Sequence, residues 1–279
     1  MNNKLCVITG ANSGIGFETT KALAAMGAYI VMVCRDEDKA EAARKKIISE
    51  TANPGIEIVL CDFAIQAEIR NAADQIKKDY DKIDVLINNH GFIASKYVET
   101  VDGLEETFAV NHIGYFLFTN LLLDNIKAAN NARIINVSST AHRRGKFNPE
   151  NLQLESGFTP MKAYANSKLF NILFTKELAK RLENTSITAN CLHPGVIATN
   201  FGKNSSWYVQ LFFRFIGRPF LKTARQGARG SINLATSPEV KQVSGVYFKN
   251  RKVAIPSKSA RDEQAARQLW EMSEKFCGL

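Results

Sequence analysis

The sequence has few cysteines, and their arrangement argues against two common kinds of site. Five are present, an odd number, and none lies in a CxxC motif or at a Cys/His spacing that would suit zinc. Cys6, Cys34 and Cys61 fall within or at the end of apolar runs, where a thiol packs as a small hydrophobe. We therefore predict free, buried thiols in a reducing compartment, and neither a disulfide framework nor a metal site.

Long apolar runs are also absent. No stretch approaches the ~18 apolar residues that a membrane-spanning helix requires, so none is expected. No positively charged leader precedes an apolar stretch at the N-terminus, and the first apolar run, 5–9, follows Met1 almost at once. The sequence thus predicts a cytoplasmic protein without a signal peptide or N-terminal anchor.

The basic residues form no nucleic-acid motif. There are 36 Lys and Arg against 27 Asp and Glu, which gives a formal charge of +9. The basic residues are scattered along the chain, without an interleaved stripe of aromatic residues. We predict a solvated basic surface that is compatible with an anionic ligand such as a phosphorylated cofactor, and no nucleic-acid partner.

What is present is a regular alternation of short apolar runs with longer helical patterns. Apolar runs that are nearly continuous are typical of strands buried on both faces, and alternation with helices gives right-handed βαβ units. The sequence predicts an α/β doubly wound Rossmann fold, with about seven parallel strands flanked by helices in one domain over 1–279. The predicted strands are 5–9, 29–33, 56–60, 85–88, 133–137, 188–192 and 245–248, and the predicted helices are 14–26, 38–51, 66–78, 104–128, 163–182 and 225–237. The segment 145–162 reads as a loop.

A glycine-rich turn joins the first predicted strand to the first predicted helix. Glycines allow a tight turn and a close backbone approach to a pyrophosphate, and the helix N-terminus offers free N–H groups and a positive dipole end. The position of the motif between a strand and a helix is the context that dinucleotide binding requires. The predicted cofactor-binding residues of this turn are Gly10, Asn12, Ser13, Gly14, Ile15 and Gly16.

The end of the second predicted strand indicates which dinucleotide binds. An NAD site usually has a carboxylate here, ~20 residues beyond the glycines, to bind the ribose 2′-OH. Cys34 occupies the apparent strand end, and Arg35 after it could pair with a 2′-phosphate and stack on adenine. A register two residues later would instead make Asp36 the NAD carboxylate. We predict NADP(H), with NAD(H) as the alternative.

Two residues after the third predicted strand are further cofactor candidates. Asp62 could accept a hydrogen bond from the adenine amino group, with Phe63 beside it. The alternative role for Asp62 is a turn or the N-cap of the following helix.

Tyr164 and Lys168 lie four residues apart at the start of a predicted helix, so their side chains share a face. A phenol has an ordinary pKa of ~10 and is a poor base near neutral pH. A neighbouring ammonium favours the phenolate and lowers that pKa. The pair is therefore suited to donate and accept the proton in carbonyl–alcohol interconversion.

Taken together, the motifs resemble the short-chain dehydrogenase/reductase family from end to end. The residues that carry the resemblance are Thr9-Gly10-xxx-Gly14-Ile15-Gly16, Asn88-Asn89-His90-Gly91, Asn111, Ser139, Tyr164-xxx-Lys168 and Pro194-Gly195, in order and spacing. The long interval between Ser139 and Tyr164 resembles the retinol dehydrogenase branch, as do 132–142, 167–182 and 244–279.

The resemblance implies a role for each catalytic candidate. Tyr164 would be the general acid/base, and Lys168 would lower its pKa and bind the nicotinamide ribose. Ser139 would hold and polarise the substrate oxygen, with neighbouring Ser138 the weaker candidate. Asn111 would anchor a water that links Lys168 to solvent; a helix-kinking role for its side chain overlaps with this one.

The resemblance also implies cofactor contacts outside the glycine turn. Asn88 and Gly91 would line the adenosine side and hold the sheet, and Pro194 and Gly195 would form the nicotinamide-side turn. Thr199 would bond the carboxamide or a phosphate. His90 departs from the alanine common at its position, and we predict a structural role for it because the family uses this turn through its backbone.

The segment 205–221 is crowded with aromatic residues. Gln210, Arg214 and Arg218 form a narrow polar stripe on an otherwise apolar helix pattern. We predict a mobile lid over a lipophilic substrate, and core or oligomer packing and peripheral membrane contact are the alternatives. Its candidate pocket walls are Trp207, Tyr208, Phe212, Phe215 and Phe220.

These observations predict an NADP(H)-dependent oxidoreductase that interconverts a ketone or aldehyde and an alcohol, with Tyr164 as general acid/base. The alternatives are an NAD-dependent alcohol dehydrogenase and a catalytically silent dinucleotide-binding sensor or scaffold. No paired His and Cys ligands are spaced for a catalytic zinc. The resemblance implies a homo-oligomer.

Overall fold

The computed structural model describes residues 1–195 and 222–279. It contains a single mixed sheet whose strands alternate with helices, which confirms the predicted α/β doubly wound fold. The strands are β1 Leu5–Thr9, β2 Tyr29–Cys34, β3 Ile56–Leu60, β4 Val85–Asn88, β5 Arg133–Val137, β6 Thr188–His193, β7 Tyr247–Lys249 and β8 Lys252–Val253.

The strand order is β3-β2-β1-β4-β5-β6-β7-β8, and every pair is parallel except β7 with β8. The order reverses between β1 and β4, so a crevice opens there at the carboxyl ends of the strands. The antiparallel β8 was not predicted, and it raises the strand number from about seven to eight. Asn250 and Arg251 both have positive φ, at 53° and 64°, which is the conformation of a tight two-residue hairpin turn.

The longer helices lie close to their predicted bounds. They are α1 Gly14–Ala25, α2 Glu37–Thr51, α3 Gln66–Asp79, α4 Glu106–Phe108, α5 Gly114–Leu121, α6 Leu123–Lys127, α7 Pro160–Arg181, α8 Ala224–Thr236 and α9 Glu263–Cys277. Helix α7 begins within the segment predicted as a loop, because Pro160 occupies its first turn and the Thr159 hydroxyl accepts from the Lys162 amide.

The predicted helix 104–128 is wrong as a single element. Between α4 and α5 the chain forms a π turn, Ala109–Ile113, in which the Gly114 amide donates to the Ala109 carbonyl five residues earlier. A second break at Leu122, with φ −96° and ψ 3°, separates α5 from α6. The π turn lies beside the crevice and contains Asn111.

Two apolar cores cover the two faces of the sheet. One includes side chains of α3, α5, α7 and α9, and the other includes side chains of α1, α2 and α8. All five cysteines are free and buried, which confirms the prediction for Cys6, Cys34 and Cys61. None of the helices within 1–195 and 222–279 combines the length and the apolar character needed to cross a bilayer.

Candidate active site

The glycine turn lies at the carboxyl end of β1 and has little room for side chains. Gly10 and Gly14 have φ of +63° and +54°, and a Cβ on Gly16 would lie 2.0 Å from the Gly10 carbonyl oxygen. Ser13 is the N-cap of α1, yet its side chain makes no capping hydrogen bond and no acidic residue lies in the first turn. The first amides of α1 therefore have no capping side chain, which fits a bound pyrophosphate.

Asn89, which was not among the predicted site residues, fixes this turn to β4. Its side-chain amide donates to the carbonyl oxygens of Thr9 at 2.9 Å and Gly10 at 3.3 Å. Its backbone amide donates to the Thr9 hydroxyl at 2.9 Å. A polar residue directly after a buried strand is the only sequence signal for this role.

The structure gives Arg35 and Asp36 different surroundings. Arg35 follows β2, its side chain is 70% exposed, and its guanidinium lies 3.5 Å from the Asp62 carboxylate. Asp36 is the N-cap of α2, where it accepts from the Lys39 amide at 3.0 Å and pairs with the Lys39 ammonium. These contacts, Lys39 foremost, lower the pKa of the Asp36 carboxyl.

Asp62 makes a turn as well as the ion pair with Arg35. One carboxylate oxygen accepts from the Ala64 amide at 3.0 Å, whereas the N-cap of α3 is Ile65. The predicted turn role therefore holds, and the other oxygen points towards the Arg35 guanidinium. Because Arg35 is exposed, both groups lie where an adenosine could reach them.

Two predicted cofactor contacts are not supported for the side chains concerned. The Phe63 ring is buried and stacks on the His90 ring, with centroids 3.7 Å apart, so this ring face is already covered, and a cofactor contact through the Phe63 backbone stays a prediction. Asn88 is fully buried and donates to the Thr119 hydroxyl at 2.9 Å and to the Asn136 side chain at 2.8 Å. The Asn88 side chain thus holds the sheet together, and a contact of its backbone with the adenosine side stays a prediction. Gly91 is exposed at the carboxyl edge.

Ser139, Tyr164 and Lys168 come together at the carboxyl end of β5. The hydroxyls of Ser139 and Tyr164 are hydrogen-bonded to each other, and both residues are half-buried. The Lys168 ammonium is buried, lies 5.7 Å from the centre of the Tyr164 ring and donates to the Val137 carbonyl at 3.2 Å. Ser138 is buried and donates to the Lys168 carbonyl at 2.7 Å, so its hydroxyl is engaged away from the site.

Burial shifts the two titratable groups of this trio in opposite directions. It raises the pKa of the Tyr164 phenol to about 12, a shift that the Ser139 hydrogen bond partly offsets. It lowers the pKa of the Lys168 ammonium to about 7. Both shifts have the same cause, since removal from water disfavours whichever form carries the charge. A phenolate at Tyr164 would therefore depend on the nearby positive charge of Lys168.

Asn111 connects the π turn to α7. Its side-chain carbonyl accepts from the Phe92 amide at 2.8 Å, and its amide donates to the Phe92 carbonyl at 2.8 Å and the Ser167 hydroxyl at 3.0 Å. The Ser167 hydroxyl in turn donates to the Tyr164 carbonyl at 2.9 Å. The structure thus places Asn111 against the turn of α7 that carries Tyr164 and Lys168. A water relay through Asn111 stays a prediction.

Two histidines that sequence reasoning missed hold the backbone around Ser139. His142 Nδ1 lies 2.6 Å from the Ser139 carbonyl, which can only accept, so Nδ1 carries the proton and Nε2 accepts from the Ser257 amide at 3.1 Å. His193 Nδ1 accepts from the Thr140 amide at 3.3 Å. Burial lowers the pKa of both imidazoles, that of His193 to about 4, so both stay neutral acceptors.

The nicotinamide-side turn is described only in part. Gly195 has a φ of +105°, a backbone conformation that favours glycine after Pro194. The predicted residues Thr199, Trp207, Tyr208 and Phe212, and the whole segment 205–221, lie outside the described residues.

The comparisons with known proteins agree with this geometry. The sequence profile described as short chain dehydrogenase matches residues 4–208. The chain belongs to this family. Within it, the chain is 40% identical to human retinol dehydrogenase 14 over all of its own length and 88% of that protein. It is also 40% identical to mouse retinol dehydrogenase 13, over 99% of this chain and 84% of that protein.

A solved structure also matches. An uncharacterised protein from Mycobacterium paratuberculosis superposes with a TM-score of 0.81 at 33% identity, over 99% of this chain and 94% of that one. As a member of the short chain dehydrogenase family, the chain is an oxidoreductase of the carbonyl–alcohol class that uses a nicotinamide dinucleotide. The resemblance to the retinol dehydrogenase branch is confirmed.

Proposed function

We propose that this chain interconverts a lipophilic ketone or aldehyde and the corresponding alcohol with NADP(H), and that Tyr164 is its general acid/base. The observation that carries the proposal is the joint placement of Ser139, Tyr164 and Lys168 at the same edge of the sheet as a glycine turn whose helix amides have no capping side chain. When bound, the nicotinamide supplies or accepts the hydride.

In the reductive direction, Tyr164 donates its phenolic proton to the carbonyl oxygen of the substrate. Ser139, hydrogen-bonded to the same phenol, holds that oxygen next to the proton. The buried Lys168 ammonium stabilises the negative charge left on Tyr164, because its charge acts through little water. In the oxidative direction, the phenolate takes the alcohol proton.

The preference for NADP(H) rests on the contrast between Arg35 and Asp36. Asp36 is committed to the N-cap of α2 and to Lys39, so its carboxylate is a poor partner for a ribose 2′-OH. Arg35 is largely exposed beside Asp62, and its guanidinium could turn towards a 2′-phosphate. The glycine turn and the first amides of α1 would hold the pyrophosphate.

The lipophilic substrate is proposed from the relatives named retinol dehydrogenase and from the aromatic segment 205–221. A lid over the substrate stays the predicted role of that segment, with core or oligomer packing and peripheral membrane contact as the alternatives. Location in the cytoplasm, a single domain and a homo-oligomer stay predictions.

A substrate screen tests the proposed activity. We expect oxidation of NADPH, followed at about 340 nm where reduced nicotinamide absorbs, to be fastest with long-chain or polyene aldehydes and ketones. Fastest turnover of small polar carbonyls would contradict the lipophilic pocket.

The cofactor preference is tested by Arg35→Ala. We expect kcat/KM with NADPH to fall about ten-fold, equivalent to about 1.4 kcal/mol, with little change for NADH. Lys45→Ala, which removes a similarly exposed cation of α2 that pairs with Glu41 and leaves Asp36 and Lys39 in place, is the matched control for a nearby lost cation. An unchanged NADPH preference in Arg35→Ala would remove Arg35 from the proposal.

A further inference from the structure

The His90 imidazole lies where several segments of the crevice meet. Its ring stacks on Phe63, with centroids 3.7 Å apart and planes at 20°, and contacts the Tyr115 ring edge-on at 4.8 Å. A Cβ built on Gly10 would lie 3.1 Å from the His90 Cβ, and one on Gly114 would lie 3.3 Å from Nε2. The ring is therefore enclosed by the ends of β1 and β3 and by the start of α5.

The hydrogen bonds of this ring fix its tautomer. Nε2 lies 2.7 Å from the Val110 carbonyl, which can only accept, so Nε2 carries the proton. Nδ1 lies 2.8 Å from the Thr9 hydroxyl. Burial lowers the pKa of His90 to about 3, so Nδ1 is unprotonated and accepts from that hydroxyl, whose contact with the other acceptor, the Ile87 carbonyl, is longer at 3.4 Å. The oxygen of the same hydroxyl accepts from the amides of Asn89 and His90, at 2.9 and 3.2 Å.

The bond to Val110 supports the π turn. In an α-helix the Gly114 amide would donate to the Val110 carbonyl, but here it donates to the Ala109 carbonyl. His90 Nε2 supplies a donor to the Val110 carbonyl in its place. The imidazole thus stabilises the wider turn that presents Asn111, the next residue, to Ser167 of α7.

The bond to Thr9 reaches the opposite wall of the crevice. Thr9 immediately precedes Gly10 in the glycine turn, where the pyrophosphate is proposed to bind. Hydrogen bonds therefore link Thr9 to His90 and His90 to Val110. From Asn111, the residue after Val110, two further hydrogen bonds lead through Ser167 to the backbone carbonyl of Tyr164. The Tyr115 hydroxyl also donates to the His90 carbonyl at 2.7 Å.

We propose that His90 is a positioning residue that couples the glycine turn to the π turn, and through Asn111 and Ser167 to the helix that carries Tyr164 and Lys168. The inference rests on the proposed function, since it assigns the cofactor and the proton donor to the two ends of this chain of bonds. Each ring nitrogen serves one end: Nδ1 the cofactor side, and Nε2 the catalytic side.

Three substitutions separate the two nitrogens. The side-chain amide of His90→Asn can replace Nδ1 towards Thr9, and that of His90→Gln can replace Nε2 towards Val110, whereas His90→Ala replaces neither. We expect His90→Ala to raise the KM for NADPH about ten-fold and to lower kcat about ten-fold, since loss of one such bond is worth about 1.4 kcal/mol. His90→Asn should recover KM and leave kcat low. His90→Gln should recover kcat and leave KM high.

A double-mutant cycle and a stability control complete the kinetic test. Thr9→Val combined with His90→Ala should show non-additive effects on KM, because both changes remove the same bond. Ile76→Ala creates a cavity in the same core, but near the C-terminal end of α3, on the side of the sheet where the strands begin and away from the crevice. It should lower the melting temperature with kcat and KM unchanged. Equal KM and kcat in His90→Ala and wild type, or His90→Asn and His90→Gln that both match His90→Ala, would overturn the coupling.

Failure of the proposed function would be visible separately, as a wild-type chain that neither binds nor oxidises NADPH. In that case the coupling is read from hydrogen exchange. We expect amides of Ala109–Ile113 to exchange at least about ten-fold faster in His90→Ala and to be restored by His90→Gln, since the opening free energy falls by the lost bond. Unchanged exchange in that segment would overturn the coupling whatever the activity.

Discussion

Arg35 and Lys168 are cations at opposite ends of the same crevice, and they differ in exposure and in the way their charge is held. The Arg35 side chain is 70% exposed and pairs with Asp62 at 3.5 Å, in contact with water. Lys168 is 2% exposed, bonds a backbone carbonyl and has a pKa lowered to about 7. Recognition of an anionic group needs a charge that is free to move towards it, whereas proton transfer needs a fixed charge that acts through little water.

The largest expected effect is at the catalytic end. Tyr164→Phe should lower kcat/KM by about 10³-fold or more, since it removes the phenolic proton that passes to the substrate oxygen, while NADPH affinity changes only a few-fold. Fluorescence titration and steady-state kinetics measure the two quantities. Tyr80→Phe, beyond the end of α3, is the control and should behave as wild type. Residual turnover near the wild-type rate in Tyr164→Phe would refute the assignment.

The next largest effect separates two adjacent serines. Ser139→Ala should lower kcat about 10²-fold, because it removes the hydroxyl that holds the substrate oxygen. Ser138→Ala removes a buried bond to the Lys168 carbonyl, so it should lower the free energy of unfolding by about 1 kcal/mol and leave kcat within a few-fold. Denaturant unfolding and initial rates measure both, and the reverse ranking would contradict the placement of the catalytic hydroxyl.

Burial of Lys168 should lower the free energy of unfolding by an amount that depends on pH. Its pKa falls from 10.5 to about 7 on folding, so between these values the unfolded chain binds more protons and stability rises with pH. Below pH 7 the buried charge is present in full. Lys168→Met should therefore raise the free energy of unfolding by ~1–2 kcal/mol at pH 6, with the gain fading towards pH 10.

Lys180→Met, on the exposed face of the same helix, is the control and should show no such trend. Urea unfolding at several pH values makes the comparison. If the increase in the free energy of unfolding caused by Lys168→Met became larger as the pH rises, the predicted pH dependence would be wrong.

The smallest expected effect is at the adenosine end. Raising NaCl from about 0.05 to about 0.5 M should weaken NADPH binding about 2–5-fold more than NADH binding, because exposed charges are screened by salt. In Arg35→Ala the difference should shrink. The kcat value should change little with salt, since Lys168 is buried. Equal salt dependence for the two cofactors would argue against a 2′-phosphate site.

Local signals predicted much of the fold and the order of the catalytic residues. The bounds of β1, β3, β4 and β5 follow from apolar runs that end at turn residues, and Tyr164 and Lys168 follow from helical spacing. The helix-kinking role considered for Asn111 anticipated a break here, but the π geometry could not be predicted, because it depends on His90, which lies far from it in sequence and donates to the Val110 carbonyl. The burial of Phe63 likewise depends on a contact with another strand end.

Asn88 illustrates the same limit. A polar residue at a strand end is equally compatible with a ligand contact and with a bond inside the sheet. The pairing of its side chain with Asn136 on the adjacent strand shows the bond inside the sheet, whereas a cofactor contact through its backbone stays a prediction. The β7–β8 turn was missed because Asn250-Arg251 lacks the glycine that usually signals such a turn.

The short β8 has a consequence for how the protein behaves at high concentration. A sheet that ends in a long unpaired strand offers a row of free amide and carbonyl groups on which another chain can be added. Here the edge strand β8 has two residues, Lys252–Val253. The positively charged side chains of Lys249, Arg251 and Lys252 surround it. Like charges facing each other would repel, so the hairpin protects this edge of the sheet from edge-to-edge aggregation.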